Sequence, residues 1–275
     1  MLELPRVDVA LLAGALEKFL AEELRASGLR GYVVGLSGGV DSAVSVALAA
    51  VAVGRERVVA VALPGPTSSP ASLADAQAVA SAFGLRLEEI GIAAGAEALA
   101  GALGCGGDRL RFGNLLARLR MTALFDRART VPGLVLGTSN KSEILLGYST
   151  LFGDAAASVH PLGDVWKTHV FELARHLGVP PPVIAKPPTA DLWPGQTDAG
   201  ELGFDYPTVD PVLYGHHECG LGREELVASG FPAALVDAAL AAYRRNRFKW
   251  RPSVLARTSA SCINIDRILP RNPER

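Results

Sequence analysis

The sequence predicts an α/β protein, a doubly wound parallel sheet with helices on both faces and further helices added to it. Three observations carry this. Short apolar runs alternate with stretches of helical periodicity through the first half of the chain, the order that builds a parallel sheet covered by crossover helices. A glycine-rich turn, Ser37-Gly38-Gly39, joins the first apolar run to an apolar helix. The chain has 275 residues, 49% hydrophobic and 20% charged, enough to bury a sizeable core in one domain spanning residues 1–275.

The elements follow in order. Residues 7–26 carry apolar positions at helical spacing, with Glu17, Lys18, Glu22, Glu23 and Arg25 on a polar face, and Gly28 and Gly31 stop the helix. Val33–Leu36 reads as a buried strand and Ser42–Val53 as a helix. A second strand, 57–64, is closed by Pro64 and Pro66. Residues 69–84 form a capped helix with Pro70 in its first turn. A third strand covers 85–92, helices cover 94–103 and 108–129, and a fourth strand covers 133–138. The texture then changes. Residues 147–164 are loop-rich, 165–177 is helical, and 180–206 is a proline-rich loop whose length points to a functional role. Helices return at 207–214, 222–229 and 232–247.

Net charge is −1, which argues against a dedicated nucleic-acid or membrane-surface protein. Cys105, Cys219 and Cys262 form no CxxC pair and read as free thiols of a reducing compartment. The N-terminal apolar stretch contains Glu3, Asp8 and Glu17, so it lacks the pattern of a signal peptide. The most apolar window, Ala43–Val53, is too short to span a bilayer. These features predict a cytoplasmic protein.

The turn 35–42, Gly35-Leu36-Ser37-Gly38-Gly39-Val40-Asp41-Ser42, lies between a buried strand and a buried helix. Such a turn aims backbone N–H groups at one point, and the helix N-terminus adds partial positive charge. Together they form a phosphate site. Gly38 and Gly39 let a phosphate approach the backbone, and Ser37 and Ser42 add hydroxyl donors. Asp41 repels phosphate, so it suits a Mg²⁺ ion bridging to the phosphates. The GK[ST] ending of the Walker loop is absent. A strand–helix turn that merely needs glycines is the plainer alternative.

"SGGVDS" resembles the pyrophosphate loop of the N-type ATP pyrophosphatases, enzymes of Rossmann-like, adenine nucleotide alpha hydrolase fold that cleave ATP between the α and β phosphates. Four more stretches narrow the resemblance: "GNLLARLRM" (113–121), "GTSNKSEILLGYSTLFGD" (137–154), "PLGDVWKTHVFELARHLGVP" (161–180) and "KPPTADLWPGQTDAGELGFDY" (186–206). In this order they resemble the NAD synthetases over nearly the whole chain. The resemblance implies a reaction, joining ammonia to the nicotinate carboxylate of deamido-NAD with ATP as co-substrate and AMP and pyrophosphate as products. It also implies roles. Asp41 and Glu143 would hold Mg²⁺. Thr138, Lys167 and Thr189 would contact ATP, with Lys167 neutralising phosphate charge and Thr189 on a closing loop. Arg118 would contact deamido-NAD, together with Tyr148, Leu151, Ser158, Phe248 and Lys249. A homodimer is implied, with deamido-NAD near the subunit interface.

Each residue also has an ordinary reading. Glu143 alone is a helix-start acid, Lys167 a helix lysine with a buried stem, Thr189 a polar loop residue, and Arg118 and Arg120, both on the 108–129 helix, part of a charged face. The histidines show no HExxH-like spacing, and His216-His217 reads as surface rather than zinc. Three positions depart from the familiar bacterial pattern: Leu151 replaces a lysine, Ser158 an acid, and Phe248 the first residue of an HK pair. Two alternatives follow: another ATP pyrophosphatase amidating a different carboxylate, and an ATP-binding sensor without chemistry. Glutamine-dependent relatives carry a glutaminase ahead of the synthetase motifs. Here the phosphate turn begins by residue 37 and no cysteine has a nucleophile setting, so free ammonia is the expected nitrogen donor.

Overall fold

The computed structural model describes residues 2–193, 195–250, 256 and 258. Cys262 lies outside the described residues. In chain order the elements are α1 (Val9–Ser27), β1 (Gly31–Gly35), α2 (Val40–Val53), β2 (Val58–Ala62), α3 (Pro70–Ala82), β3 (Leu87–Glu89), α4 (Ala93–Leu103), α5 (Arg109–Thr130), β4 (Gly133–Leu136), α6 (Lys141–Leu146), α7 (Lys167–His176), α8 (Pro181–Ala185), α9 (Asp198–Leu202), α10 (Tyr206–His217), α11 (Arg223–Ala228) and α12 (Ala233–Asn246).

The four strands form a parallel sheet in the order β3-β2-β1-β4. Alternate residues of each strand serve opposite faces. Tyr32, Val34 and Leu36 pack with α1, α2, α3 and α7, while Val33, Val61 and Val135 pack against α4 and α5. β1, β2 and β4 are covered on both faces, which is why they read as nearly continuous apolar runs, while the edge strand β3 is Leu87-Glu88-Glu89 and only partly covered. The chain leaves β1 toward β2 and later returns to β4 on the other side of β1. The strand order therefore reverses between β1 and β4, and ligands of such sheets bind outside the carboxyl ends at that point.

A second apolar cluster joins α6, α10 and α12 through Leu145, Leu146, Val209, Leu213, Val236 and Leu240. It is the helical addition, and it sets the height of α6 and α7 over the sheet. Asp210, fully buried in α10, accepts from Thr168 N at 3.0 Å and Thr168 Oγ1 at 2.7 Å, fixing the first turn of α7.

Several expectations need adjustment. The loop 180–206 contains two five-residue helices, α8 and α9. The third strand is only Leu87–Glu89. Residues 147–164 hold no helix, but Val159 bridges Leu136 in parallel and extends the edge beside β4. The helix expected at 207–214 runs Tyr206–His217, with Asp205 capping it and Pro211 inside. Among the described residues, no helix is long and apolar enough to cross a membrane.

Candidate active site

The turn after β1 is held by its own hydroxyls. Ser42 Oγ donates to Gly39 O at 2.9 Å and lies 3.1 Å from Ser37 Oγ, and Gly39 N donates to Ser37 Oγ at 3.3 Å. The two serines thus shape the turn as well as line the cavity beside it. Leu36 N bonds Val61 O at 2.9 Å, anchoring the turn to β2. Gly38 has φ +80°, and a Cβ there would stand 2.3 Å from Ser72 O on α3. Gly38→Ala should therefore cost about 1–3 kcal/mol from backbone strain alone, with a larger loss of ATP affinity as the turn is displaced. A thermal melt and an ATP titration check this; an unchanged ATP affinity would show that the turn does not hold the nucleotide.

A cavity of about 520 Å³ opens at the carboxyl edge of the sheet. Its wall includes the turn, Thr138 after β4, Glu143 of α6, Lys167 of α7 and Thr189. Asn140 caps α6. Its Oδ1 accepts from Glu143 N at 3.0 Å while Glu143 Oε2 accepts from Asn140 N at 3.3 Å. This reciprocal cap fixes the Glu143 backbone and side chain together. Asn140 Nδ2 also donates to Asp41 Oδ1 at 2.9 Å, joining the ends of β1 and β4.

Lys167 is the centre of the site. Its Nζ donates to Asp41 Oδ2 at 2.5 Å and Glu143 Oε1 at 3.1 Å, with its side chain 2% exposed. Its backbone N bonds Ser142 Oγ at 2.9 Å, and its ammonium lies 5.1 Å from the Tyr206 ring centroid. Burial alone would lower this lysine, but Asp41 and then Glu143 outweigh that and hold the ammonium above the usual lysine range. Burial pushes Glu143 up to about 8 against the pull of Lys167, and the neighbouring Asp41 charge adds to the rise. Two carboxylates meeting at one cation form a hard-oxygen pair. That pair would suit a hard divalent cation such as magnesium. No group of three or more His, Cys, Asp or Glu is arranged to hold a metal among the described residues.

The residues 186–193 lie over the cavity. Thr67 Oγ1 donates to Leu192 O at 3.0 Å, and Ser69 N donates to Asp191 Oδ2 at 3.3 Å. Thr189 Oγ1 accepts from Asp191 N at 3.1 Å.

The expected dinucleotide residues divide. Tyr148 and Lys249 line the cavity. Tyr148 OH donates to Glu201 Oε2 at 2.7 Å, and Lys249 Nζ bonds Gly147 O and Ser149 O, each at 2.7 Å. Arg118 lies on the far side of α5, in a separate depression with Leu99 and Leu103, and bonds Leu151 O at 3.3 Å. Phe248 is 62% exposed. Ser158 pairs with β4, its N donating to Val135 O at 2.8 Å and its Oγ accepting from Val135 N at 3.3 Å.

The family described as NAD synthase matches residues 12–253. The chain belongs to the NAD synthase family. The NH(3)-dependent NAD(+) synthetase of Trichlorobacter lovleyi is 44% identical over 260 residues, 94% of this chain and 95% of its own. That of Chlorobaculum tepidum is 43% identical over 259 residues, 94% and 93% of the two chains. Among solved structures, NMN synthetase from Francisella tularensis has a TM-score of 0.81 at 29% identity, covering 92% of this chain and 100% of that one. The NH3-dependent NAD synthetase of Campylobacter jejuni, in complex with nitrate, has a TM-score of 0.77 at 29% identity, covering 91% and 100%.

The cavity and the groups supporting it also involve residues given no functional role from the sequence. Asn140 was detectable, because N-x-x-E before an apolar run is a capping-box pattern. Asp198 is 5% exposed and accepts from Tyr206 OH at 2.8 Å. Burial raises its carboxyl group, with Lys167 pulling the other way. Arg120 faces inward, two residues from Arg118, bonding Leu63 O and Ser68 Oγ at 3.1 Å each. Helical periodicity placed both arginines on one helix without saying which pointed inward.

Proposed function

We propose that the chain's reaction, ATP-dependent amidation of deamido-NAD by ammonia, runs in the cavity between the turn 35–42 and Lys167. The observation that carries this is Lys167 bridging Asp41 and Glu143 at the point where the strand order reverses. The turn and the N-terminus of α2 receive the ATP phosphates. Thr138 and Thr189 line the nucleotide's path. Asp41 and Glu143 would hold Mg²⁺, which would supply charge neutralisation for the phosphates. Lys167 adds a fixed positive charge as the α,β-bridging bond breaks.

The carboxylate of deamido-NAD attacks the α-phosphorus and pyrophosphate leaves, giving an acyl-adenylate. Ammonia then attacks the carbonyl carbon, AMP leaves and NAD forms. The cavity's contribution is alignment of these atoms. The 186–203 segment, resting on the α3 turn through Asp191 and Leu192, keeps water from the adenylate.

Tyr148 and Lys249 hold deamido-NAD from within the cavity. Arg118, Leu151 and Phe248 lie outside it, where a second copy in a homodimer completes the binding surface. Exposed Phe152 and Phe248, 48% and 62%, support that pairing. The free thiols Cys105 and Cys219 suit the cytoplasm.

The test is pyrophosphate release by the purified chain. It should require deamido-NAD, and with limiting total ammonium the rate of NAD formation should rise as pH moves above neutrality, because only neutral ammonia has a lone pair to attack. Turnover of another carboxylate in place of deamido-NAD would overturn the substrate reading. Efficient use of glutamine in ammonia-free buffer would overturn the nitrogen source.

A further inference from the structure

Lys186 stands at the start of the segment covering the cavity, directly after α8. Its Nζ donates to Asp75 Oδ2 at 2.8 Å and Ser72 Oγ at 3.1 Å, both on α3. These partners touch the phosphate turn. A Cβ on Gly38 would stand 2.3 Å from Ser72 O and 2.9 Å from Asp75 Cβ. The lysine is only partly covered, its side chain 25% exposed, and it lines the cavity while Asp75 backs it.

Among the described residues, the cations lining the cavity are Arg120, Lys167, Lys186 and Lys249. Each of the other three is held by two groups of the cavity wall or its supports. Lys167 is shared between Asp41 and Glu143. Arg120 holds Leu63 O and Ser68 Oγ. Lys249 holds the carbonyls of Gly147 and Ser149. Lys186 has a single carboxylate partner, a flexible four-carbon stem, and a position against the turn. We infer that Lys186 is a further side chain that binds the pyrophosphate leaving group, beside the turn and Lys167, and that Asp75 holds it ready when pyrophosphate is absent.

This inference rests on the placement of ATP in the turn 35–42. In the step concerned, a carboxylate oxygen of deamido-NAD bonds to the α-phosphorus. The bond from that phosphorus to the α,β-bridging oxygen breaks, and the bridging oxygen leaves on pyrophosphate with the electron pair. No proton is transferred. The Lys186 ammonium passes from the Asp75 carboxylate to the departing phosphate oxygens, exchanging one charge-assisted hydrogen bond for others. Lysine suits this role as a compact charge on a mobile stem.

A structural ion pair predicts a different result from a leaving-group ligand. Product inhibition by pyrophosphate against ATP is measured in the wild type, Lys186→Met, Asp75→Asn and the double variant. Lys186→Met should weaken pyrophosphate inhibition roughly tenfold, the scale of one charge-assisted hydrogen bond, and leave KM for deamido-NAD unchanged. Asp75→Asn should tighten pyrophosphate inhibition, because the lysine is released and a repelling charge is gone. In the double variant most of that gain should vanish, which isolates the lysine's part from simple loss of repulsion. A gain that persists in full without Lys186, or equal weakening in both single variants, would overturn the inference. If Lys186→Met does not fold, Lys186→Arg replaces it, and weaker inhibition in Asp75→Asn alone is sufficient to overturn. Wild-type enzyme showing no pyrophosphate inhibition against ATP would instead overturn the placement of ATP itself.

Discussion

Asp41→Asn and Glu143→Gln should each lower kcat by at least about a hundredfold, since losing a metal's charge stabilisation removes several kcal/mol from the transition state, while leaving the fold intact. The second half of that expectation is the more informative. Two acids share one ammonium, and burial pushes Glu143 up to about 8, so the triad is net negative above that pH and close to neutral below it, in a cavity where the Asp41 and Glu143 side chains are 18% and 16% exposed. Replacing either acid by its amide leaves one carboxylate for Lys167, and the remaining pair is neutral. Breaking a buried ion pair costs about 3–5 kcal/mol when it strands a charge, but here no charge is stranded. The amides also preserve local bonds. In Glu143→Gln the new amide oxygen can still accept from Asn140 N, and in Asp41→Asn from Asn140 Nδ2, in the flip state that turns the amide NH2 toward Lys167; the ammonium then keeps the other carboxylate as its partner. Activity should therefore collapse without a matching fall in melting temperature. Each variant is measured for turnover across a magnesium series and by thermal melt. Wild-type turnover at low magnesium in either variant would remove the metal assignment.

The turn Ser37-Gly38-Gly39 was readable because everything it needs is local. The strand before it, the helix after it and the positive φ of Gly38 are neighbours in sequence. The alternation of strands and helices likewise gave a parallel sheet. The order β3-β2-β1-β4 was not available, since periodicity says which residues face a helix and nothing about which strand lies beside which. Helices α8 and α9 have five residues each, fewer than two turns, too short to display a period. Lys167 and Asp41 are 126 positions apart, and Asn140 and Asp41 are 99 apart. No spacing rule connects them, and only resemblance brought the first pair together. Lys186 and Asp75, 111 positions apart, had neither spacing nor resemblance to mark them. The serines show a subtler limit. Their hydroxyls were readable as polar groups at a phosphate turn, but not as the bonds that hold the turn in shape.

Lys167→Met should abolish activity and also destabilise the protein, the reverse of the pattern expected for the acids. Removing the ammonium leaves Asp41 and Glu143 facing each other with no cation between them. Their repulsion, with the lost charge-assisted hydrogen bonds at 2.5 and 3.1 Å, places the cost near the lower end of the 3–5 kcal/mol range, about 3 kcal/mol, because both carboxylates keep some contact with water. Protonation of Glu143, already pushed upward by burial, caps that cost. Methionine conserves most of the side-chain volume, so packing with Tyr206 contributes little to the loss. Adding Asp41→Asn to Lys167→Met should then recover stability without recovering turnover, since it removes the repulsion and restores no cation. In the kinetics, AMP and pyrophosphate should fall together, by roughly a hundredfold or more on the scale of a lost electrostatic donor, because the proposed role has the lysine act before ammonia enters. The measurements are thermal melts of the single and double variants, and single-turnover assays that follow pyrophosphate and NAD separately. A Lys167→Met enzyme that releases pyrophosphate at the normal rate but fails to form the amide would move the lysine from the adenylation step to the second half-reaction. In that case the bridge between Asp41 and Glu143 would be only a structural contact.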